Sequence, residues 1–417
     1  MNPLLYTFYG DDVTGSTDVL EQLAEAGVPA ALFFTPPTAD DLAAFPHVRA
    51  LGVAGTSRSQ TPEWMSRELP PVFRALHGLR APIAHYKVCS TFDSSPETGS
   101  IGRALELGLE VWRSRYAPVV VGAPHLKRFV HEGRLFAADP HGDIHRIDRH
   151  PMSRHPVTPM REPRLARHLA AQTALAIAEA RTCTEATAAA ARGARAVILD
   201  AVSEADLQDI GECVWQQALR EPLFAIGSSG LTRALIHAWR AAGLTAGERL
   251  TPTAHQHGGP LLVLSGSCAA ATERQLLWAA RNGFAMLPVA PADLTAGRTD
   301  ALAAAASTAL AQGRHTVLYT SLGAPAQGSE GGEQLGRALG HLLRAVAPVG
   351  RVLLCGGDTS SHALAALGLR ALTWAAPLTA GAPICRAHAP GKLDGLELVL
   401  KGGQMGPENL FQLAAEA

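Results

Sequence analysis

Two adjacent carboxylates, Asp11 and Asp12, stand in the run Gly10-Asp11-Asp12-Val13-Thr14-Gly15-Ser16-Thr17-Asp18. A carboxylate pair at a turn can grip a hydroxylated substrate and take its proton, or hold a cation. Gly15, Ser16 and Thr17 add backbone N–H groups and hydroxyls, a seat for an anion if they open a helix. The plainer alternative is that one Asp is an N-cap and the other is solvated, which explains one carboxylate easily and the pair poorly. A second polar group follows in Lys87, Ser90, Thr91 and Asp93, and Arg58 stands beside Thr56 and Ser57. An arginine there can clamp a carboxylate or simply be solvated. The C-terminal part carries a different chemistry, in Ser265-Gly266-Ser267, Gly356-Gly357-Asp358-Thr359 and Gly402-Gly403. Glycines let the backbone approach a ligand, and hydroxyls at a helix start suit phosphate or its Mg²⁺.

Each cluster needs an element to present it. Leu4 to Tyr9 read as a strand, and Val19, Leu20 and Leu23 as one face of a helix that Gly27 ends. Strands expected at 30–34, 48–54, 85–88 and 117–124 alternate with helices such as 104–108, which predicts a parallel, doubly wound sheet. Ligands of such sheets collect outside the carboxyl ends of the strands, and Asp11, Arg58 and Lys87 all fall at strand exits. From 134 to 160 the pattern changes to a short β excursion and a polar loop bearing His141, His145, His150 and His155. Intervening prolines and arginines without paired carboxylates argue for a loop over a substrate rather than a metal site. Residues 164–194 read as helical, 204–219 as a helix, and 196–201 and 224–226 as strands. Gly227-Ser228-Ser229-Gly230 is either a second anion nest or a capped turn.

Thr251 to Pro260 reads as a linker, after which the strand-turn-helix pattern restarts. Strands are expected at 261–264, 316–320, 351–355 and 396–401, helices at 272–282, 334–346 and 362–367, and a flexible loop at 328–332.

Composition removes several function classes. The 417 residues are 47% apolar with a net charge of -1, so no basic stripe addresses nucleic acid. Six cysteines lie far apart without a CxxC pair, which fits reduced thiols in the cytoplasm better than zinc or a disulfide framework. The N-terminus lacks the marks of a signal peptide, and no uncharged apolar stretch reaches membrane-spanning length, so a cytoplasmic protein without membrane partners is expected.

The chain has no GxxxxGK[ST] loop, no strand-linked GxGxxG with a ribose-binding acid, and no GxSxG elbow. What remains is a division of labour. Carboxylates, cations and hydroxyls at the first strand ends suit a small hydroxylated anion, and the later glycine-hydroxyl turns suit nucleotide phosphates. Phosphoryl transfer needs both, because its catalysis is mostly positioning and charge stabilisation across a closing cleft. A kinase of a small polar acid is therefore the leading expectation. Its rivals are a non-catalytic two-domain sugar-acid-binding protein and a lyase or aldolase using Lys87 as a Schiff base.

The chain also resembles the four-carbon acid sugar kinases over nearly its whole length. The resemblance rests on Asp11 to Asp18, Gly227-Ser228-Ser229-Gly230-Leu231 and Leu264-Ser265-Gly266-Ser267-Cys268 with Thr272 and Gln275. It rests also on Gly356-Gly357-Asp358-Thr359-Ser360 and Leu400-Lys401-Gly402-Gly403-Gln404-Met405-Gly406. It implies two mainly parallel α/β domains with the active site in the interdomain cleft: a sugar-acid domain at 1–250, a linker at 251–260 and a nucleotide domain at 261–417. It implies ATP-dependent phosphorylation of a tetronate, 3-oxo-tetronate or related acid, with Mg²⁺ travelling with ATP and Asp358 reaching it through water. By motif matching, ATP meets Ser265 or Ser267, the turn Gly356, Gly357, Asp358 and Thr359, and Gly403. Asp12 or Asp11 would act as base, with Thr14, Arg58, Lys87, Ser90, Thr91 and Asp93 around the acid. Ser90-Thr91-Phe92-Asp93-Ser94-Ser95 replaces a turn that in many members carries an arginine, and Gly402 and Gln404 stand where Ser and Asn are frequent. The first departure bears on the substrate, and a branched acid such as 3-oxo-isoapionate is one option. A homodimer is another open option.

Overall fold

Strongly apolar runs such as Leu262-Val263-Leu264 fold as strands buried on both faces, which is the environment of a parallel sheet. The computed structural model describes residues 3–139, 141–153, 158–245, 247–254, 259–322, 332–346 and 349–417. Chain contacts group these into two units. The first takes Met1–Asp11, Gln22–Ala30 and Thr35–Leu250; the second takes Asp12–Glu21, Ala31–Phe34 and Thr251–Ala417.

In chain order the first strands are β1 (Tyr6–Gly10), β2 (Ala30–Phe33), β3 (Ala50–Ala54), β4 (Ile83–Lys87) and β5 (Ala117–Val120). Then come β6 (Arg128–His131), β7 (Arg134–Ala138), β8 (Ile144–Arg146), β9 (Ile177–Ala180), β10 (Ala196–Leu199) and β11 (Leu223–Gly227). In the first unit the main strand order is β3-β1-β4-β11-β5-β10-β9, all parallel pairs. β6, β7 and β8 form a separate three-stranded antiparallel sheet. Helices 62–78 and 101–112 pack on one face, where Phe73, Trp112 and Phe224 meet with ring centroids 5.3–5.6 Å apart.

The second unit contains β12 (Leu262–Ser265), β13 (Ala285–Pro288), β14 (Thr316–Tyr319), β15 (Arg351–Cys355), β16 (Ala371–Thr379), β17 (Ala382–His388) and β18 (Glu397–Lys401). Its order is β13-β14-β12-β15-β18-β17-β16-β2. The pairs along β13-β14-β12-β15-β18 are parallel, while β18–β17, β17–β16 and β16–β2 are antiparallel. Register sets Pro288, Tyr319, Ser265, Cys355 and Lys401 in one row at the carboxyl edge.

Several local expectations change. The stretch 164–194 is not one helical region: helix 165–170 gives way to β9, then to helix 183–191. Ile-Ala-Glu-Ala has helical composition, and parallel pairing with β10 overrides it. The helix after Cys355 starts at Gly357 rather than at His362, so Asp358, Thr359 and Ser360 lie in its first turn. The antiparallel hairpin β16–β17 falls where no strand is expected. Cys183 and Cys213 form a disulfide between two helices, with Cα atoms 6.1 Å apart, which corrects the expectation of reduced thiols at that pair. Their separation of 30 residues has no local signature, because helix packing brings them together. The loop at 328–331, His155 and part of the linker lie outside the described residues. Among the described residues no helix is long and apolar enough to cross a membrane.

Candidate functional site

In the first unit, Ala54, Gly10, Lys87 and Gly227 lie abreast in the strand register, so the residues after them leave the sheet together. Asp11 N donates to the Lys87 carbonyl at 3.0 Å, and Arg58 N to the Asp11 carbonyl at 3.2 Å. The Arg58 guanidinium then grips the Asp11 carboxylate with two bonds, Nη2–Oδ1 2.6 Å and Nε–Oδ2 3.2 Å. Arg58 is 11% exposed and Asp11 4%, so the pair is largely withdrawn from solvent. The turn holding Arg58 is fixed from below, where Tyr9 and Tyr86 stack and the Tyr86 hydroxyl meets Ser57 Oγ at 2.8 Å. Burial and the nearby Asp11 charge push the Tyr86 phenol up, keeping it a neutral hydrogen-bonding group.

Lys87 is buried, and its Nζ donates to the Val88 carbonyl at 3.0 Å; no carboxylate pairs with it among the described residues. An ammonium there retains donors for an anion. In the turn that follows, Thr91 Oγ1 lies 2.9 Å from Cys89 Sγ and hydrogen-bonds Asp93, while Ser90 is half-buried. Phe92 takes the left-handed backbone, φ 59°, and His168 and Gln172 brace Ser94 at 2.8 and 2.9 Å. Burial first, then the Asp93 charge, raise the Cys89 thiol, opposed by Arg58. Cys89 in turn acts on Arg128 of β6, whose guanidinium pKa is lowered by burial; the sequence places Arg128 near a strand end but gives it no role. Ser228 caps its helix, accepting from Gly230 N at 3.0 Å and donating to the Val121 carbonyl at 2.8 Å. Gly227 to Gly230 is therefore a capped turn. His145 meets Asp139 at 3.1 Å, and among the described residues no group of three His, Cys, Asp or Glu could hold a metal.

Asp12 and the helix start after it are counted with the second unit. Its Oδ1 accepts from Gly15 N at 2.7 Å and its Oδ2 from the Thr14 hydroxyl at 2.6 Å. Val13 N donates to Ser361 Oγ at 3.0 Å, so the carboxylate turn is tied to the helix that carries Thr359. The Val13 and Gly15 N–H groups are thus both taken by side chains of the protein itself. Glu21, two turns on, accepts from Gly381 N at 2.6 Å and secures the same helix to the β16–β17 turn. Asp18, on the face of Thr14, is 7% exposed and its Oδ1 has no hydrogen bond among the described residues.

The three glycine-hydroxyl turns leave neighbouring strands β12, β15 and β18 and close on one another. Gly356 has φ 107°, a conformation side chains rarely adopt, and donates to the Lys401 carbonyl at 3.0 Å. At Gly403 a Cβ would stand 3.0 Å from Ser267 Oγ and 2.8 Å from the Ala269 side chain, so only glycine allows the approach. Ser265 and Thr359 are buried beneath, while Ser267, Gly356, Gly357 and Gly403 are half-buried at the edge. The side chain of Asp358 lies outside the described part of the structure. Three residues unassigned by sequence reasoning hold this arrangement. Thr272 Oγ1 donates to the Gly403 carbonyl at 2.9 Å and lies 3.2 Å from Ser267 Oγ. Gln275, one turn on, donates to the carbonyls of Met405, Gly406 and Pro407. Lys401 Nζ donates to Thr272 Oγ1 at 2.7 Å. Their signal was the i, i+3 spacing of Thr272 and Gln275 on a helix opposite a glycine-rich strand exit.

Residues 6–235 match a family described as a sugar-binding N-terminal domain, and residues 262–411 one described as a nucleotide-binding C-terminal domain. The chain belongs to the four-carbon acid sugar kinase family. Membership makes it an ATP-dependent sugar-acid kinase. Among curated relatives of the family, 3-oxo-isoapionate kinase of Paraburkholderia graminis is 41% identical, covering 99% of this chain and 94% of its own. A 3-oxo-tetronate kinase of Methylobacterium radiotolerans is 31% identical, with 97% of each chain covered. The fold is shared with a solved Salmonella typhimurium LT2 protein described as a tRNA synthase, at TM-score 0.74, 24% identity, 99% coverage of this chain and 98% of that one. At that identity the likeness speaks for the fold alone.

Proposed function

We propose that this kinase transfers the γ-phosphoryl group of ATP to a hydroxyl of a small branched or four-carbon oxo-acid, with 3-oxo-isoapionate first among candidates and 3-oxo-tetronate second. The 41% identity to a 3-oxo-isoapionate kinase supports that order. The observation that carries the reaction is the hydrogen bond from Val13 N to Ser361 Oγ, 3.0 Å, which ties the Asp12 turn to the helix of the glycine-hydroxyl motif. Acceptor chemistry and nucleotide chemistry are thereby linked by one bond.

In this reading the acid's carboxylate is met by Lys87 and Arg58, with Ser90, Thr91, Asp93 and Thr14 accepting from or donating to its hydroxyls. Asp11 sets the angle of the guanidinium, and Asp12 takes the acceptor hydroxyl's proton or holds that hydroxyl in line. The nucleotide lies on Ser265, Ser267, Gly356, Gly357, Asp358, Thr359 and Gly403. The hydroxyls of Ser265, Ser267 and Thr359 would suit Mg²⁺ entering with ATP, which would neutralise charge on the phosphates. An ADP-release assay over 3-oxo-isoapionate, 3-oxo-tetronates and tetronates tests the proposal. We expect the branched acid to be preferred by tenfold or more in kcat/KM; absence of ATP-dependent turnover with every acid refutes it.

A further inference from the structure

β18 carries a buried charge near each end. At its start Glu397, fully buried, is held by Arg351, with Nη2–Oε2 2.6 Å and Nε–Oε2 3.0 Å. At its finish Lys401 is equally buried, but its Nζ donates to neutral groups, Thr272 Oγ1 at 2.7 Å and the Gly403 carbonyl at 3.4 Å. No carboxylate pairs with Lys401 among the described residues. A sealed ammonium without a counter-ion is unfavourable, and burial lowers its proton affinity accordingly. For packing alone, an unbranched apolar side chain would serve better at this position. Both groups that Lys401 holds are walls of the glycine-hydroxyl turns, since Thr272 also reaches Ser267 and Gly403 closes against Ser267.

We infer that Lys401 is a positioning residue for the nucleotide, and that the counter-ion the described residues do not supply is the polyphosphate seated on the turns above it. Its hydrogen bonds lock Gly403 against Ser267, and its charge favours an anion at that edge. The inference rests on the nucleotide reading of those turns.

The test uses the full chain with Lys401→Met and Lys401→Gln, the second retaining a donor for Thr272 as a guard against misfolding. Thermal midpoints are measured alone, with ADP and with inorganic tripolyphosphate, and KM is measured for ATP and for the sugar acid. We expect the unliganded midpoint to stay level or rise in Lys401→Met, the ADP-induced shift to fall by half or more in both variants, KM for ATP to rise tenfold or more, and KM for the acid to change less than threefold. A merely structural lysine would lower the unliganded midpoint and leave the ADP-induced shift intact, and that result overturns the inference. If the unsubstituted chain shows no shift with ADP or tripolyphosphate, the nucleotide reading itself falls, and the inference with it.

Discussion

Asp12→Asn separates capping from catalysis at the residue on which the acceptor chemistry turns. Asp12 uses Oδ1 for Gly15 N at 2.7 Å and Oδ2 for the Thr14 hydroxyl at 2.6 Å. Asparagine keeps the carbonyl oxygen for Gly15, and its amide can donate to Thr14 once that hydroxyl rotates. The cap is thus retained and the loss of stability should stay under about 1 kcal/mol, whereas Asp12→Ala forfeits it and should cost roughly 0.5–2 kcal/mol. Removing a base or a hydroxyl-orienting carboxylate lowers turnover by about 10²–10⁴, equivalent to roughly 3–5 kcal/mol of barrier. Turnover by ADP release, KM for ATP and the thermal midpoint are to be measured on each variant. The expected pattern for Asp12→Asn is a midpoint within a few degrees, near-unchanged KM for ATP and a turnover deficit of at least a hundredfold. Turnover within threefold of the parent would make Asp12 a cap only and remove it from the chemistry.

Arg58→Met should raise KM for the sugar acid at least tenfold and also destabilise the fold by about 3 kcal/mol, since it strands the buried Asp11 carboxylate. Adding Asp11→Asn should restore stability and leave KM high; recovery of KM would refute the clamp. Burial holds His168 down to about pKa 4, against 6.5 when unfolded. The unfolded chain therefore binds more protons between those values, and stability falls as pH drops through 6.5 and approaches 4, by about 2–3 kcal/mol at pH 4.5 relative to pH 7. His168→Gln should flatten that part of the midpoint-against-pH curve, and an unchanged slope would count against it. Under denaturing, non-reducing conditions a thiol titration should find four free cysteines, Cys89, Cys268, Cys355 and Cys385, rather than six. Reduction should lower stability by about 3–4 kcal/mol if chain entropy governs the loop.

The pattern of apolar runs and glycine turns carried the βα alternation and the strand exits that present Asp11, Lys87, Ser265 and Gly356, because buried parallel strands and their turns leave a local signature. Antiparallel β16 and β17, and β9 hidden in an alanine-rich stretch, left none: their pairing is a property of distant neighbours. The site divides in the same way. Residue type alone pointed to the paired carboxylates, to Arg58 and to the glycine-hydroxyl turns, since their chemistry is legible one residue at a time. Only the tertiary structure decided what each is bonded to. Asp11 is committed to Arg58, and Asp12 to its own helix start. That helix start is joined to Ser361, nearly 350 positions away in the chain, with |i−j| 348. Thr272, Gln275 and Lys401 likewise matter through partners more than a hundred positions distant, with |i−j| 129 to 132. Spacing along a sequence records which groups a helix or strand presents, whereas a hydrogen bond between two elements depends on how sheets and helices pack, and no local pattern encodes that.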